Sequence, residues 1–111
     1  MELTSKKVND VLVIEIKGRL TADCADQYKQ EMGDFIAQDN HLVQDLNGLE
    51  YIDSTGLGAM VFILQRNFDD GGDIKLARLQ GKARLVFDIT KAYKIFDIFD
   101  TVEAATEAMK K

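Results

Sequence analysis

Proline and tryptophan are absent from this chain of 111 residues, and cysteine and histidine occur once each. Without proline there is no stiff linker, and no repeat or low-complexity stretch divides the sequence, so a single domain over residues 1–111 is expected. The lone Cys24 excludes an internal disulfide and suits a reducing cytoplasm. His41 has no second histidine or cysteine with which to complete a zinc set. Asp69, Asp70 and Asp73 flank Gly71-Gly72 without the spacing of a calcium loop and read as turn residues. No metal and no cofactor are therefore expected. Positive charge is also short: 14 Lys and Arg stand against 19 Asp and Glu, a formal net charge of -5. General nucleic-acid or anionic-membrane binding would need a basic face. No apolar run approaches the roughly 20 residues that span a bilayer, and Met1 to Lys7 lacks the apolar segment of a signal peptide, so no membrane insertion is expected.

What is present is a globular mixture, 46% hydrophobic and 30% charged, whose patterns alternate between strand and helix. Leu3 to Val8 reads as a strand, Asn9-Asp10 as a two-residue turn, and the β-branched run Val11 to Ile16 as a buried strand ended by Gly18. Thr21 or Asp23 can cap a helix to about Gln38, with Ala25, Tyr28, Met32, Phe35 and Ile36 inward and Gly33 as a weak point. His41 to Leu46 is the next strand, and Asn47-Gly48 turns the chain. Asp73 to Leu79 reads as another strand, and Gly81 precedes a short helix carrying Ala83, Val86 and Phe87. Lys94 to Phe99 reads as a brief strand or extended segment. A last helix, capped by Asp100 or Thr101, runs to Met109 before a solvated Lys110-Lys111 tail.

The central stretch is Asp53-Ser54-Thr55-Gly56-Leu57-Gly58. It opens a helix whose Leu57, Met60, Val61, Leu64 and Phe68 recur at i, i+3, i+4, i+7 and i+11 along one face. Asp53 and Ser54 are both good N-caps, so a hydroxyl is presented at the positive end of a helix dipole. Taken by its residues alone, Ser54 is first a cap. Asp53 can cap the helix, orient the serine or meet a partner, and these roles are compatible. The opposite flank carries Thr55, Gly58, Ala59, Phe62 and Arg66. Its small residues and one aromatic form an apolar docking patch unless Phe62 packs under a neighbouring helix. A nucleophilic enzyme built on Ser54 or Cys24 lacks an adjacent base, because His41 opens a strand with no evident relay.

The six-residue motif resembles the phosphorylation site of STAS domains of the anti-sigma-factor antagonist type. Gly18, Gly71-Gly72 and Val86-Phe87-Asp88 also stand where that family has similar residues, so the resemblance covers nearly the whole chain. It implies an α/β fold: a small mixed β-sheet with helices packed mainly on one side. It departs from the family pattern at Thr21, where an acidic residue is usual, at Gln44, where an aliphatic is usual, and at Lys91, near where a glycine ends the short helix.

The resemblance further implies a binding module and kinase substrate rather than an enzyme. The partner is an anti-sigma factor with serine kinase activity, which brings its own ATP and Mg²⁺. Ser54 is the phosphoacceptor, with Thr55 as a second hydroxyl beside it, and a metal-dependent serine phosphatase restores the unmodified form. Asp53, Thr55, Gly56, Gly58, Ala59 and Phe62 are the expected partner-binding residues, with Gly56 and Gly58 leaving backbone open to a kinase. A related expectation keeps the same phospho-switch but gives it a partner controlling secretion, chemotaxis or biofilm output instead of a sigma factor.

Overall fold

The computed structural model describes residues 1–109; the Lys110-Lys111 tail lies outside them. The chain opens as a hairpin of β1 (Glu2–Val8) and β2 (Val11–Leu20), paired antiparallel. Its two-residue loop, Asn9-Asp10, has φ of 52° and 66°, the doubly left-handed turn that matches strand twist and that Asn and Asp tolerate best. Helix α1 (Ala25–Gln38) then crosses to β3 (His41–Asp45), which lies parallel to β2. A short strand β4 (Leu49–Ile52) follows, and then α2 (Ser54–Asp69), β5 (Asp73–Ala77) and α3 (Gly81–Thr90). A 3-10 turn at Ala92–Lys94, the two-residue β6 (Ile98–Phe99) and α4 (Val102–Met109) complete the described chain. The sheet order is β1-β2-β3-β5-β6, with β4 pairing the far end of β2.

Period-two alternation along β2 sorts the core into two layers. Leu12, Ile14 and Ile16 face α1, α2 and α3, where Tyr28, Met32, Met60, Ile63 and Phe87 bury against them. Val11 and Val13 face the other way, meeting Val43, Ala77, Val102 and Ala105 under α4. The fold is thus a six-stranded mixed sheet with four α-helices, three on one side and one on the other.

Several expectations shift. β2 does not end at Gly18 but runs through it to Leu20, with the glycine at φ 95° and the pairing to β4 slipping a register between Gly18 and Arg19. That left-handed step, inexpensive only for glycine, re-aims the strand toward β4. Gln44, in place of an aliphatic residue, is fully buried, and its amide donates to the Tyr28 hydroxyl at 2.6 Å. Burial pushes the Tyr28 phenol well above its ordinary pKa, so it stays neutral, and the Gln44 bond offsets only part of that. Lys91, in place of a glycine, takes the left-handed position after α3 at φ 61°.

Gly33 sits inside α1, where an added Cβ would meet nothing within 4 Å. Its backbone needs no glycine, so Gly33→Ala is expected to stabilise the protein by about 0.5–1 kcal/mol, read as a higher urea midpoint with unchanged m-value.

Candidate functional site

β4 positions the site, and its four residues, too short a run to stand out after the Asn47-Gly48 turn, did not signal a strand. Leu20 lies beside Ile52 and Arg19 beside Tyr51, so the chain leaves the sheet at Asp53 next to the loop that enters α1. The Asp53 amide donates to the Leu20 carbonyl at 3.2 Å and closes that junction.

Asp53, rather than Ser54, caps α2. Its backbone is extended (φ -100°, ψ -179°), and one carboxylate oxygen accepts the Gly56 amide at 2.7 Å. The other accepts the Ala22 amide at 3.0 Å, tying the β2–α1 loop to the helix start. The Gly56 N–H, with further help from Ala22 and Thr55 and against some desolvation, holds the Asp53 carboxyl below its ordinary pKa. Because the folded value is the lower one, its contribution to stability is present above the unfolded value near 4 and fades as pH falls through the folded value. Asp53→Ala is therefore expected to cost about 1 kcal/mol at pH 7, with the gap from wild type narrowing in acid unfolding curves below about pH 4.

With the cap supplied by its neighbour, Ser54 is the first helical residue and is exposed. Thr55 and Gly58 are exposed beside it, and an added Cβ at Gly58 would meet nothing within 4 Å. Gly56 differs: it is buried, and a Cβ there would lie 2.1 Å from the Leu20 carbonyl oxygen. Its role is close approach of helix to strand, not access for a kinase. Ala59 is 1% exposed and belongs to the core, so the flank of small residues is narrower than expected. Phe62 is 49% exposed, with the Lys29 ammonium of α1 4.7 Å from its ring centroid. The exposed surface along this side of α2 is thus Ser54, Thr55, Gly58, Phe62 and Arg66.

The inward face of α2 is rotated from the expected stripe. Gly56, Leu57, Ala59, Met60, Ile63 and Asn67 are buried, whereas Val61 and Leu64 are only half-buried and Phe68 is 72% exposed. The side-chain amide of the buried Asn67 donates to the Asn40 carbonyl at 2.7 Å, pinning the turn before β3.

The loop between β2 and α1 lies beside this site, but neither Thr21 nor Asp23 caps α1. Cys24 occupies the cap position without a side-chain cap bond; its thiol donates to the Arg19 carbonyl at 3.3 Å. The Arg19 guanidinium sits 4.8 Å from the Tyr51 ring centroid. His41 opens β3 and its ring pairs with Asn40, at the opposite end of the parallel strands from Ser54. Among the described residues no cluster of three or more His, Cys, Asp or Glu could hold a metal ion, and no helix is long and apolar enough to cross a membrane.

Known proteins resemble this chain in sequence and in fold. The anti-sigma-B factor antagonist of Bacillus subtilis is 32% identical over 90 residues, covering 81% of this chain and 82% of that protein. The anti-sigma F factor antagonist of Paenibacillus polymyxa is 28% identical over 100 residues, covering 87% and 86%. A crystal structure of a Thermotoga maritima protein assigned as an anti-sigma factor antagonist superposes with a TM-score of 0.88 at 29% identity, covering 98% of this chain and 95% of that one. The STAS domain model matches residues 2–105, from β1 into α4, and with relatives that carry the anti-sigma factor antagonist name the chain belongs to the STAS domain family.

Proposed function

We propose that this chain is an anti-sigma-factor antagonist that works by partner switching, with Ser54 as its phosphoacceptor. Unmodified, it binds an anti-sigma factor that is also a serine kinase; phosphorylated on Ser54, it is released; a metal-dependent serine phosphatase resets it. The observation that carries this reading is the division of labour at the start of α2. Asp53 takes the capping bonds, which leaves the Ser54 hydroxyl exposed and without a structural duty.

The surroundings suit reversible esterification. A phosphate at the first turn of α2 faces the positive end of a 16-residue helix, so the modified chain keeps its fold. The same anion adds about 1.5 to 2 negative charges beside the Asp53 carboxylate. On a surface that must shed water to dock, that charge opposes association. Thr55, Gly58 and Phe62 supply the apolar part of the contact and Asp53 its polar part, while Gly56 and Ala59 shape it from beneath.

The direct test is intact-mass measurement after incubation with candidate kinases from the same genome. One added phosphate, mapped to Ser54 and absent in Ser54→Ala, is the expected result. Phosphate mapped to Thr55, or none with any kinase that binds the chain, would overturn the assignment. Pull-down with Ser54→Ala, which is expected to hold its partner without release, identifies the regulated output.

A further inference from the structure

The apolar stripe of α2 is longer than the part the core uses. Leu57 and Met60 enter the core; Val61 and Leu64 pack half-buried against it and, with the exposed Phe68, form one wall of an open groove. Its floor is Ile74 of β5, and Ile95, 57% exposed, forms the facing wall. The space is about 460 Å³, enough for a few large side chains. Val61, Leu64 and Phe68 recur at i, i+3 and i+7, the seam along which a second helix packs beside the first.

The polar rim says what kind of helix would fit. Asp73 and Asp97 line the groove, and both reach the same Lys75 ammonium at 3.0 Å. One cation cannot balance two carboxylates, and Asp97 is largely exposed. Asp69 and Asp70 line the adjoining hollow, which shares Gln65 with the groove and holds Arg66 as its cation. A second copy of this chain would bring the same carboxylates against these, so the charge pattern disfavours self-pairing.

We propose that this groove is a second docking site, which takes a short amphipathic helix of a partner protein with leucine-like anchors flanked by lysine or arginine. The groove begins at Val61, seven residues along the helix from Ser54, about 10 Å at 1.5 Å per residue and just beyond the screening length of about 8 Å at physiological salt. Docking here is therefore little affected by the charge on Ser54.

The test uses the full chain with methyl-labelled Ile, Leu and Val. Two synthetic helical peptides share one leucine pattern spaced i, i+4, i+7; one has lysine flanks and the other glutamate. The lysine peptide is expected to shift the Val61, Leu64, Ile74 and Ile95 methyl signals saturably, and the glutamate peptide at least tenfold more weakly. Asp97→Asn should weaken the lysine peptide severalfold, Phe68→Asp should abolish its effect, and Ser54→Asp should leave it unchanged. If Phe68→Asp fails to fold, Ile95→Asp gives the same readout. No shift with the lysine peptide, equal shifts with both, or the same shifts on concentrating the protein alone would each overturn the proposal.

Discussion

A Ser54→Asp chain is expected to lose more than a hundredfold in affinity for the proposed anti-sigma partner while melting no lower than wild type. The two readouts move apart because one charge acts in two environments. In the free protein the new carboxylate sits in the first turn of α2, where an anion is stabilised by about 0.3–1 kcal/mol, so stability holds or rises slightly. In the complex it lies beside Asp53 on a surface stripped of water, where like charges cost several kcal/mol. A loss of about 2.8 kcal/mol already gives a hundredfold. Isothermal titration with the partner measures the first effect and calorimetric melting the second. Ser54→Asn is the control for shape: similar in size and uncharged, it should bind within about tenfold of wild type. If Ser54→Asn and Ser54→Asp fell equally, steric fit rather than charge would govern release. If Ser54→Asp bound as tightly as wild type, the switch would lie elsewhere.

The start of α2 was legible because capping chemistry is local: an Asp-Ser pair before an apolar helix leaves few places for the first turn to begin. Which of the two residues caps was not. That depended on Ala22, 31 residues upstream, whose amide claims the second Asp53 oxygen and fixes the carboxylate in place. The buried face of α2 departs from its apolar stripe for a related reason. Hydrophobic periodicity weighs large apolar residues, but a helix held this close to a strand presents its smallest ones. Gly56 abuts the Leu20 carbonyl, and Ala59 follows on the same face. The docking flank loses Ala59 as a consequence, and Phe68 turns outward. β4 leaves little signal in the sequence because four residues give too little alternation, yet it is what brings Asp53 beside the α1 entry loop.

One strong interaction left no trace in the sequence at all. Asp45 ends β3 with its carboxylate 1% exposed, and Arg78, 33 residues later, answers it with a two-pronged grip. The guanidinium Nε donates to one oxygen at 2.9 Å and Nη2 to the other at 2.6 Å. Arg78 achieves this from a left-handed backbone (φ 59°) just past β5, a conformation that the ion pair helps to hold. These bonds to Asp45, against some desolvation, raise the guanidinium further above its ordinary pKa.

Arg78→Leu is expected to destabilise the protein by about 3–5 kcal/mol, since it leaves a buried carboxylate with only the Asn47 amide, at 3.2 Å, as a partner. Such a loss is a large share of a small domain's total stability, about 5–15 kcal/mol. Removing both charges separates the value of the pair from the cost of an orphan. The double variant Asp45→Asn with Arg78→Leu should recover more than half of the loss, because a neutral amide is far less costly to bury than an unpaired carboxylate. Urea unfolding of wild type, both single variants and the double variant completes the cycle. If the double variant were as unstable as Arg78→Leu alone, the penalty would come from the lost Arg78 packing or its strained backbone, and the ion pair would not be what fastens β5 to β3 at this end of the sheet.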